Sequence, residues 1–485
     1  MGTSGTDATG EELWRAGSER LSGFGGAQTG VCSVLRPHTS EELEAALEWG
    51  RREGLALGLR GAGRSYGDAA LNSGGAVLDL CGLDRILAWD PATGIAEVEP
   101  GVTLDRLWRH TIGDGWWPAV VPGTSLATIG GIVAMNAHGK NCFRVGPSGD
   151  HVLELEVLLA SGERVTCGPE RRRDLFETLV GGFGMLGCIV RVRLRLKRIH
   201  SGHLRVQAIP VRSITEMVDV FEAETPRADY AVGWSDGLAP ERRLGRGVVH
   251  LGFHLEPGED PTPARGLRPE AQAPPPRMLG VLPRTQLWRA LRLVQHWPGM
   301  RSVNLVKSLA HRLDPRRSTL WTHAEYGFLL DYAPGFNRSY GPSGLIQVQP
   351  FVPADRAAGV FSDVLRLARS SGIPPHLVVF KRHRSDRFVL SHGLDGYSLA
   401  LDFPARRRAR LWALAREIQE RTIDAGGRFY LAKDSTLTPD QLERQFEARD
   451  RERFLRQKRA CDPAGLFRTD LSRRVWPVLH GADCG

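Results

Sequence analysis

The sequence predicts an α+β fold of two closely packed domains, and three observations carry that prediction. The chain has 485 residues, more than one hydrophobic core organises. Alternating apolar and polar runs occur alongside apolar residues at helical spacing, so strands and helices are mixed. Many of its 56 glycines fall into three clusters, within 61–67, 123–139 and 181–187, marking loops where the backbone approaches something closely.

The elements follow in order. Residues 1–26 are polar and Gly/Thr-rich at the start and are expected to be disordered. Thr39-Ser40-Glu41-Glu42 reads as a capping box opening a helix, with Leu43, Ala46 and Leu47 on one face and Gly54 as its stop. A strand over 55–59 leads into the loop Arg60-Gly61-Ala62-Gly63-Arg64-Ser65-Tyr66-Gly67-Asp68, then come strands at 76–80 and 95–99 and a helix at 104–110. Beyond the second glycine stretch, 155–160 and 164–166 flank the turn Ser161-Gly162 as a hairpin. Strict alternation over 189–196 turns Arg191, Arg193 and Arg195 to a wet face. These elements make a first domain over 27–198.

A second domain is expected over 199–430. Its Pro-rich stretch, 257–276, lacks the pattern for regular structure, so a mobile loop is expected over 257–284. Thr285–Leu313 then sets Leu287, Trp288, Leu291, Leu293, Val294, Trp297, Leu305, Val306 and Leu309 among Arg, Lys and His. Such a stretch either packs on its own protein, the commoner outcome, or lies on an acidic membrane surface. A C-terminal segment, 431–485, carries a charged helix over 442–459 that Asp462-Pro463 ends.

Composition narrows the function classes. Hydrophobic residues at 41% and charged residues at 25% describe an ordinary globular chain, and the net charge of +9 favours anionic partners. Zinc-finger spacing, RNA-binding signatures and basic arms with interleaved aromatics are missing, so nucleic acid is not an expected partner. The seven cysteines are odd in number and never spaced C-x-x-C, which argues against a disulfide framework or a metal site and for a reducing, cytoplasmic setting. No signal sequence or membrane span is read.

The glycine loops then point to a ligand. Gly61-Ala62-Gly63-Arg64-Ser65-Tyr66 fails the Rossmann pattern, since Tyr66 stands at the last glycine and a strand follows where a helix is needed. What remains is either an ordinary glycine-rich turn or a loop whose backbone N–H groups converge on pyrophosphate. Pro122-Gly123-Thr124, Thr128-Ile129-Gly130-Gly131 and Asn136-Ala137-His138 in the same domain favour one extended ligand with a polyanionic middle, a dinucleotide. Walker, H-E-x-x-H and G-x-S-x-G motifs are absent from the sequence, which removes support for ATP and hydrolase readings.

Taken together with His138-Gly139-Lys140-Asn141, Gly181-Gly182-Phe183-Gly184, Gln347-Val348-Gln349, Phe380-Lys381, Leu401-Asp402-Phe403-Pro404 and Ala432-Lys433-Asp434-Ser435, these loops resemble the vanillyl-alcohol-oxidase (PCMH-type) FAD-binding superfamily. Within it the chain is most similar to the decaprenylphosphoryl-ribose 2′-oxidases. The resemblance implies a PCMH-type FAD-binding domain plus an α/β substrate (cap) domain, with a C-terminal return to the flavin. It implies FAD held by Arg60, Gly61, Ala62, Gly63, Arg64, Ser65, Tyr66, Gly67, Asp68, Gly123, Thr128, Ile129, Gly130, Gly131, Asn136, Ala137, His138, Ile189 and Tyr430. Related aldonolactone and alditol oxidases often carry, at Arg64, a His that attaches the flavin; Arg64 implies non-covalent FAD. The substrate pocket implied is Tyr66, His138, Lys140, Trp234, Gln347, Gln349, Lys381, Ser398 and Lys433. Ser398, Ala400 and His383 depart from the family's Asn, Cys and Phe, which alters the pocket. The resemblance further implies a lipid-linked glycosyl phosphate as substrate, oxidised to a 2-keto sugar for cell-wall arabinan-type precursors. A separate NAD(P)H-dependent short-chain reductase would complete the epimerisation. The expected setting is cytoplasmic, with peripheral contact at the inner face of the membrane left open.

Oxidising a secondary alcohol needs a group to take the hydroxyl proton. Lys433, desolvated beside another cation, is the first candidate, either as base or as a charged stabiliser; a surface pair with Asp434 is the bland alternative. His138 either polarises the hydroxyl or satisfies buried backbone. Lys140 and Lys381 suit a phosphate; Tyr66 is a third catalytic candidate and Trp234 a pocket wall, with a plain core aromatic the alternative for each. An oxidase of free alditols or aldonolactones, and a non-catalytic flavin-binding partner protein, remain open alternatives.

Overall fold

The computed structural model describes residues 17–278, 282–313 and 318–479. Strands β1 (Ser18–Ser22), β2 (Thr29–Leu35), β3 (Leu57–Arg60) and β4 (Ala76–Asp79) form a sheet ordered β1-β2-β4-β3, parallel except for the β1–β2 pair. The helix Ser40–Arg52 connects β2 to β3; Thr39 accepts from the Glu42 N–H at 3.2 Å, and Leu43, Ala46 and Leu47 are buried. β1 corrects the expectation of disorder through residue 26, of which 1–16 lie outside the described residues. Its five residues are mostly polar and carry almost no apolar signal. Pairing with β2 and the two-pronged Arg36–Glu19 contact, 2.7 and 2.8 Å, hold it in place.

A second sheet follows, from β5 (Ile86–Asp90), β6 (Ile95–Val98), β7 (Val152–Leu158), β8 (Arg164–Cys167) and β9 (Cys188–Arg195), antiparallel throughout in the order β5-β6-β9-β7-β8. The face expected to be wet is partly occupied: Arg191 donates to Glu97 at 2.7 Å and Glu156 at 2.9 Å across the neighbouring strands, while Arg193 and Arg195 are exposed. Opposite charges on facing positions of paired strands stabilise the register.

The third sheet is the largest. It comprises β10 (His203–Val211), β11 (Tyr230–Ser235), β12 (Gly247–His254), β13 (Ser318–Thr322), β14 (Leu345–Val348), β15 (Pro350–Pro353), β16 (Leu377–His383), β17 (Gly396–Pro404) and β18 (Arg428–Phe429). Its order is β13-β10-β12-β11-β16-β17-β15-β18, with β14 also paired to β17. The period of two divides its faces. Phe380 meets Phe221 and Phe361 of the helices Ile214–Glu224 and Ala354–Ser370, whereas Val379 and Lys381 on the other side line a cavity. On β17, Ser398, Ala400 and Asp402 pair with Lys381, Val379 and Leu377, so they share that cavity-side face.

The C-terminal segment closes the molecule. Leu57 exchanges backbone bonds with Leu466 and Arg468, 2.7 and 3.0 Å, and Asp470 accepts from the Ser73 N–H at 2.8 Å, so the tail completes the first sheet's surroundings. The helix expected over 442–459 is two, Pro439–Gln445 and Ala448–Cys461. The Pro-rich stretch is also corrected: it holds short helices, Pro263–Gly266 and Pro269–Gln272, each begun by a proline where a missing N–H removes no helical bond. Buried Gln272 anchors it by donating to the carbonyls of Gly202 and Gly266 at 2.8 and 2.9 Å. Among the described residues no helix is long and apolar enough to cross a membrane.

Candidate active site

A cavity of about 750 Å³ lies between the glycine loops and the third sheet. Its size is at the upper end for small-molecule sites, roughly 300–1,000 Å³.

One side is backbone. The loop after β3 and the helix Ile129–Ala134 meet so tightly that a Cβ at Gly61 would overlap the Thr128 hydroxyl, which caps that helix by accepting from the Gly131 N–H at 3.4 Å. Gly63 and Gly184 need left-handed backbone, φ +62° and +73°. Gly184 belongs to the third cluster, which is tied down by Gly181 N–H to Val133 O, 3.1 Å, and Phe183 N–H to Ala134 O, 3.0 Å. Gly61, Ala62, Gly63, Gly123, Gly130, Gly131, Gly182 and Gly184 all line this side.

The same side carries two guanidiniums short of counter-charge. Burial lowers the pKa of both Arg60 and Arg64, and Arg64 Nε is buried without a hydrogen-bond partner. A glycine-lined cradle with the unsatisfied Arg64 Nε beside it fits a ligand whose middle is a pyrophosphate, as in FAD.

The opposite side is built from side chains. The backbone of the returning segment is fixed against the first loop: the Tyr66 N–H donates to Ala432 O at 2.8 Å, and a Cβ at Gly67 would overlap the Asp434 carbonyl. Arg474 clamps both segments, pairing with Asp68 at 2.8 Å and Asp434 at 2.8 Å. Burial disfavours its charge, yet the two carboxylates hold its pKa above the ordinary value. Asp434 is therefore not the partner of Lys433. Lys433 Nζ instead sits 3.7 Å from the centre of the Tyr66 ring, and its pKa is lowered, first by burial and further by Lys381, against the opposing pull of Asp402. Lys381 falls to about 8, chiefly through burial. Burial also raises Tyr66 well above its usual range, so it stays a neutral phenol.

Beneath Lys381 runs a connected set of polar groups. Lys381 Nζ is 3.5 Å from His138 Nδ1, the Gln349 amide 3.2 Å from His138 Nε2 and 3.1 Å from Ser398 Oγ, and Ser398 Oγ 2.8 Å from His383 Nε2. Burial and Lys381 hold His138 well below its usual pKa, hence neutral. A neutral imidazole accepting from Lys381 at Nδ1 carries its hydrogen on Nε2, so the Gln349 carbonyl faces it and the amide NH₂ takes the other position. One amide atom of Gln349 does lack a protein partner. His138 thus has both ring nitrogens within hydrogen-bonding distance of side chains, Lys381 and Gln349, which it helps to position.

Of the residues anticipated from sequence, Arg60, Gly61, Ala62, Gly63, Arg64, Ser65, Tyr66, Gly123, Thr128, Gly130, Gly131, Ala137, His138, Ile189, Tyr430, Lys140, Trp234, Gln347, Gln349, Lys381 and Lys433 line the cavity. Five stand behind it. Gly67 and Asp68 join the loop to the tail, and Ile129 is buried with its N–H on Val102 O. Asn136, at φ +45°, accepts from the Gly149 N–H and faces Ser391 and Asp386, and Ser398 supports Gln349. Lys140 lines the wall, but its ammonium is spent on the carbonyls of Tyr326 and Gly327 and its pKa is pushed well down by burial, which removes it as the expected phosphate holder.

Asp402 escaped sequence reasoning. It is fully buried, accepts from Gln347 Nε2 beside Lys433, and its pKa is raised by burial. A carboxylate within the otherwise apolar, wholly buried strand β17 was the available signal. His392, its ring 4.2 Å from that of Tyr430 and tilted to it by 44°, had none.

The family described as FAD binding domain matches residues 33–168. The chain is 30% identical over 479 residues to the decaprenylphosphoryl-β-D-ribose oxidase of Mycolicibacterium smegmatis, covering 94% of this chain and 97% of the relative. It is 31% identical over 234 residues to a D-lactate dehydrogenase of Archaeoglobus fulgidus, 45% of this chain and 52% of the relative. To cytokinin dehydrogenase 2 of Oryza sativa it is 31% identical over 176 residues, 34% and 31% of the two chains.

Proposed function

The chain belongs to the FAD-binding oxidoreductase family that includes decaprenylphosphoryl-β-D-ribose oxidase, and on that premise we propose that it oxidises a secondary hydroxyl of a glycosyl phosphate, best a polyprenylphosphoryl ribose, to the 2-keto sugar. The observation carrying this reading is the pairing of a desolvated lysine, Lys433, with a second cation, Lys381, on the cavity wall facing the glycine cradle. FAD, held there without a covalent bond, supplies the two-electron oxidising chemistry. Lys433 takes the hydroxyl proton at Nζ, since burial favours its neutral form. Tyr66 supports the amine from below, and the Gln349 amide and Lys381 orient the sugar, with Lys381 also drawing its phosphate. Trp321, Leu329, Leu330 and Phe336 give the cavity an apolar flank for a polyprenyl tail. A separate NAD(P)H-dependent short-chain reductase acting on the keto product would complete an epimerisation.

Anaerobic bleaching of the flavin tests this. Polyprenylphosphoryl ribose is expected to bleach it rapidly and free alditols or aldonolactones slowly. Bleaching by the free sugars alone would replace the substrate assignment, and no bleaching by any sugar would remove the catalytic one.

A further inference from the structure

One surface is left unused by the reaction. Residues 271–313 contain no Asp or Glu and seven Arg or Lys, so this stretch carries +7 of the chain's formal net charge of +9. From residue 287 it folds as two helices, Leu287–Val294 and Trp297–Leu313. Helices packed on their own protein bury their apolar side chains, but here apolar and cationic groups are exposed together. Leu293 is 77% and Val306 66% exposed, with Val303 and Leu305 also open and Arg289, Arg292 and Arg301 exposed among them. Asn304, on the buried side of the second helix, donates to Asp236 at 2.8 Å and fixes which side faces outward.

The patch is continuous with the cavity. Trp288 packs on the turn at Gly335 and lies under the Arg338 guanidinium, and Phe336 next in the chain lines the cavity. Exposed Leu320 adjoins Trp321, and exposed Leu329 lines the cavity itself.

We propose that the helices Leu287–Val294 and Trp297–Leu313 are a docking surface for an anionic lipid bilayer, holding the cavity mouth at the membrane. Charge complementarity selects this occupant. Exposed apolar side chains insert into the headgroup boundary while adjacent guanidiniums meet acidic headgroups. Residues 178–215 hold as many cations and no Asp or Glu, but there Arg191 and Arg205 are paired with Glu97, Glu156 and Glu259. The inference needs no particular sugar, so its failure leaves the oxidation reading untouched.

Co-sedimentation of the FAD-loaded protein tests it. Two vesicle types are compared, equal parts phosphatidylglycerol and phosphatidylcholine, and phosphatidylcholine alone. Binding is expected to the first only and to fall with salt. The variant Arg289→Gln/Arg292→Gln/Arg301→Gln should bind on the order of 100-fold more weakly. Leu293→Glu/Val306→Glu should also detach, with the flavin spectrum and thermal midpoint unchanged in both. No binding to the anionic vesicles, equal binding by the variants, or a concentration-dependent dimer in sedimentation that the same variants dissolve would each overturn the proposal.

Discussion

The two walls of the cavity are made of different material. The cradle wall is backbone: glycines at tight approaches, held by short-range bonds among three loops of the first 190 residues. The facing wall is side chains from segments far apart, with Lys381 on β16, Gln347 and Gln349 around β14 and β15, and Lys433 in the return segment. A backbone wall depends on what is missing, a Cβ, and tolerates no added atom. A side-chain wall depends on environment, since burial alone moves both lysines toward neutrality.

If that division is right, the two walls fail separately. The largest effect is expected from Gly61→Val, whose side chain would overlap the Thr128 hydroxyl within the cradle; a purified protein lacking flavin absorbance, yet with native circular dichroism, is the expected outcome. Lys433→Ala should keep its flavin and slow anaerobic reduction by about 10²–10⁴-fold. If Lys433→Ala loses flavin instead, the walls are not separable.

Arg474→Ala leaves Asp68 and Asp434 buried without their cation, and should cost about 3–5 kcal/mol in denaturant unfolding, with loss of flavin secondary to loosening of both walls. Gln349→Ala should weaken substrate about tenfold, the value of one buried hydrogen bond to a polar ligand, while leaving flavin content and unfolding midpoint alone. Smallest in size but sharpest in meaning is pH. A base is active when unprotonated, so with Lys433 lowered the reduction rate should rise with pH through a midpoint well below the ordinary lysine value of 10.5. A rate that falls over that window would make Lys433 a charged stabiliser, and Asp402→Asn, by removing the charge that favours its protonation, should move the midpoint lower still.

Much of the cradle was legible in the sequence, because glycine spacing reports local backbone demand directly: Gly61, Gly63 and Gly131 were read from runs of small residues, and they line the cavity. Part of the strand and helix order around them was legible too, but β1, β2, β5 and the helices Ile129–Ala134 and Arg173–Leu179 were not read. The facing wall was less legible. Lys433 and Lys381 were anticipated, but His138 was left between substrate and buried backbone, Lys140 was given the phosphate, and Asp402 no role. Each of those outcomes depends on which partner a side chain meets across the sheet. Lys140 turns to the Tyr326 and Gly327 carbonyls nearly 190 residues away, and nothing near it in the chain announces that.

Sequence alone settled what short-range physics controls: the glycine loops, the capped helices, the alternating strands, and a basic stretch over 271–313 that holds no Asp or Glu. Tertiary structure decided which nitrogen of His138 faces which neighbour, that Arg474 rather than Lys433 neutralises Asp434, and that the basic helices present leucine and valine to the outside. Those outcomes follow from strand register and long-range packing, where a shift of one residue exchanges the two faces of a sheet, and composition carries no record of that choice.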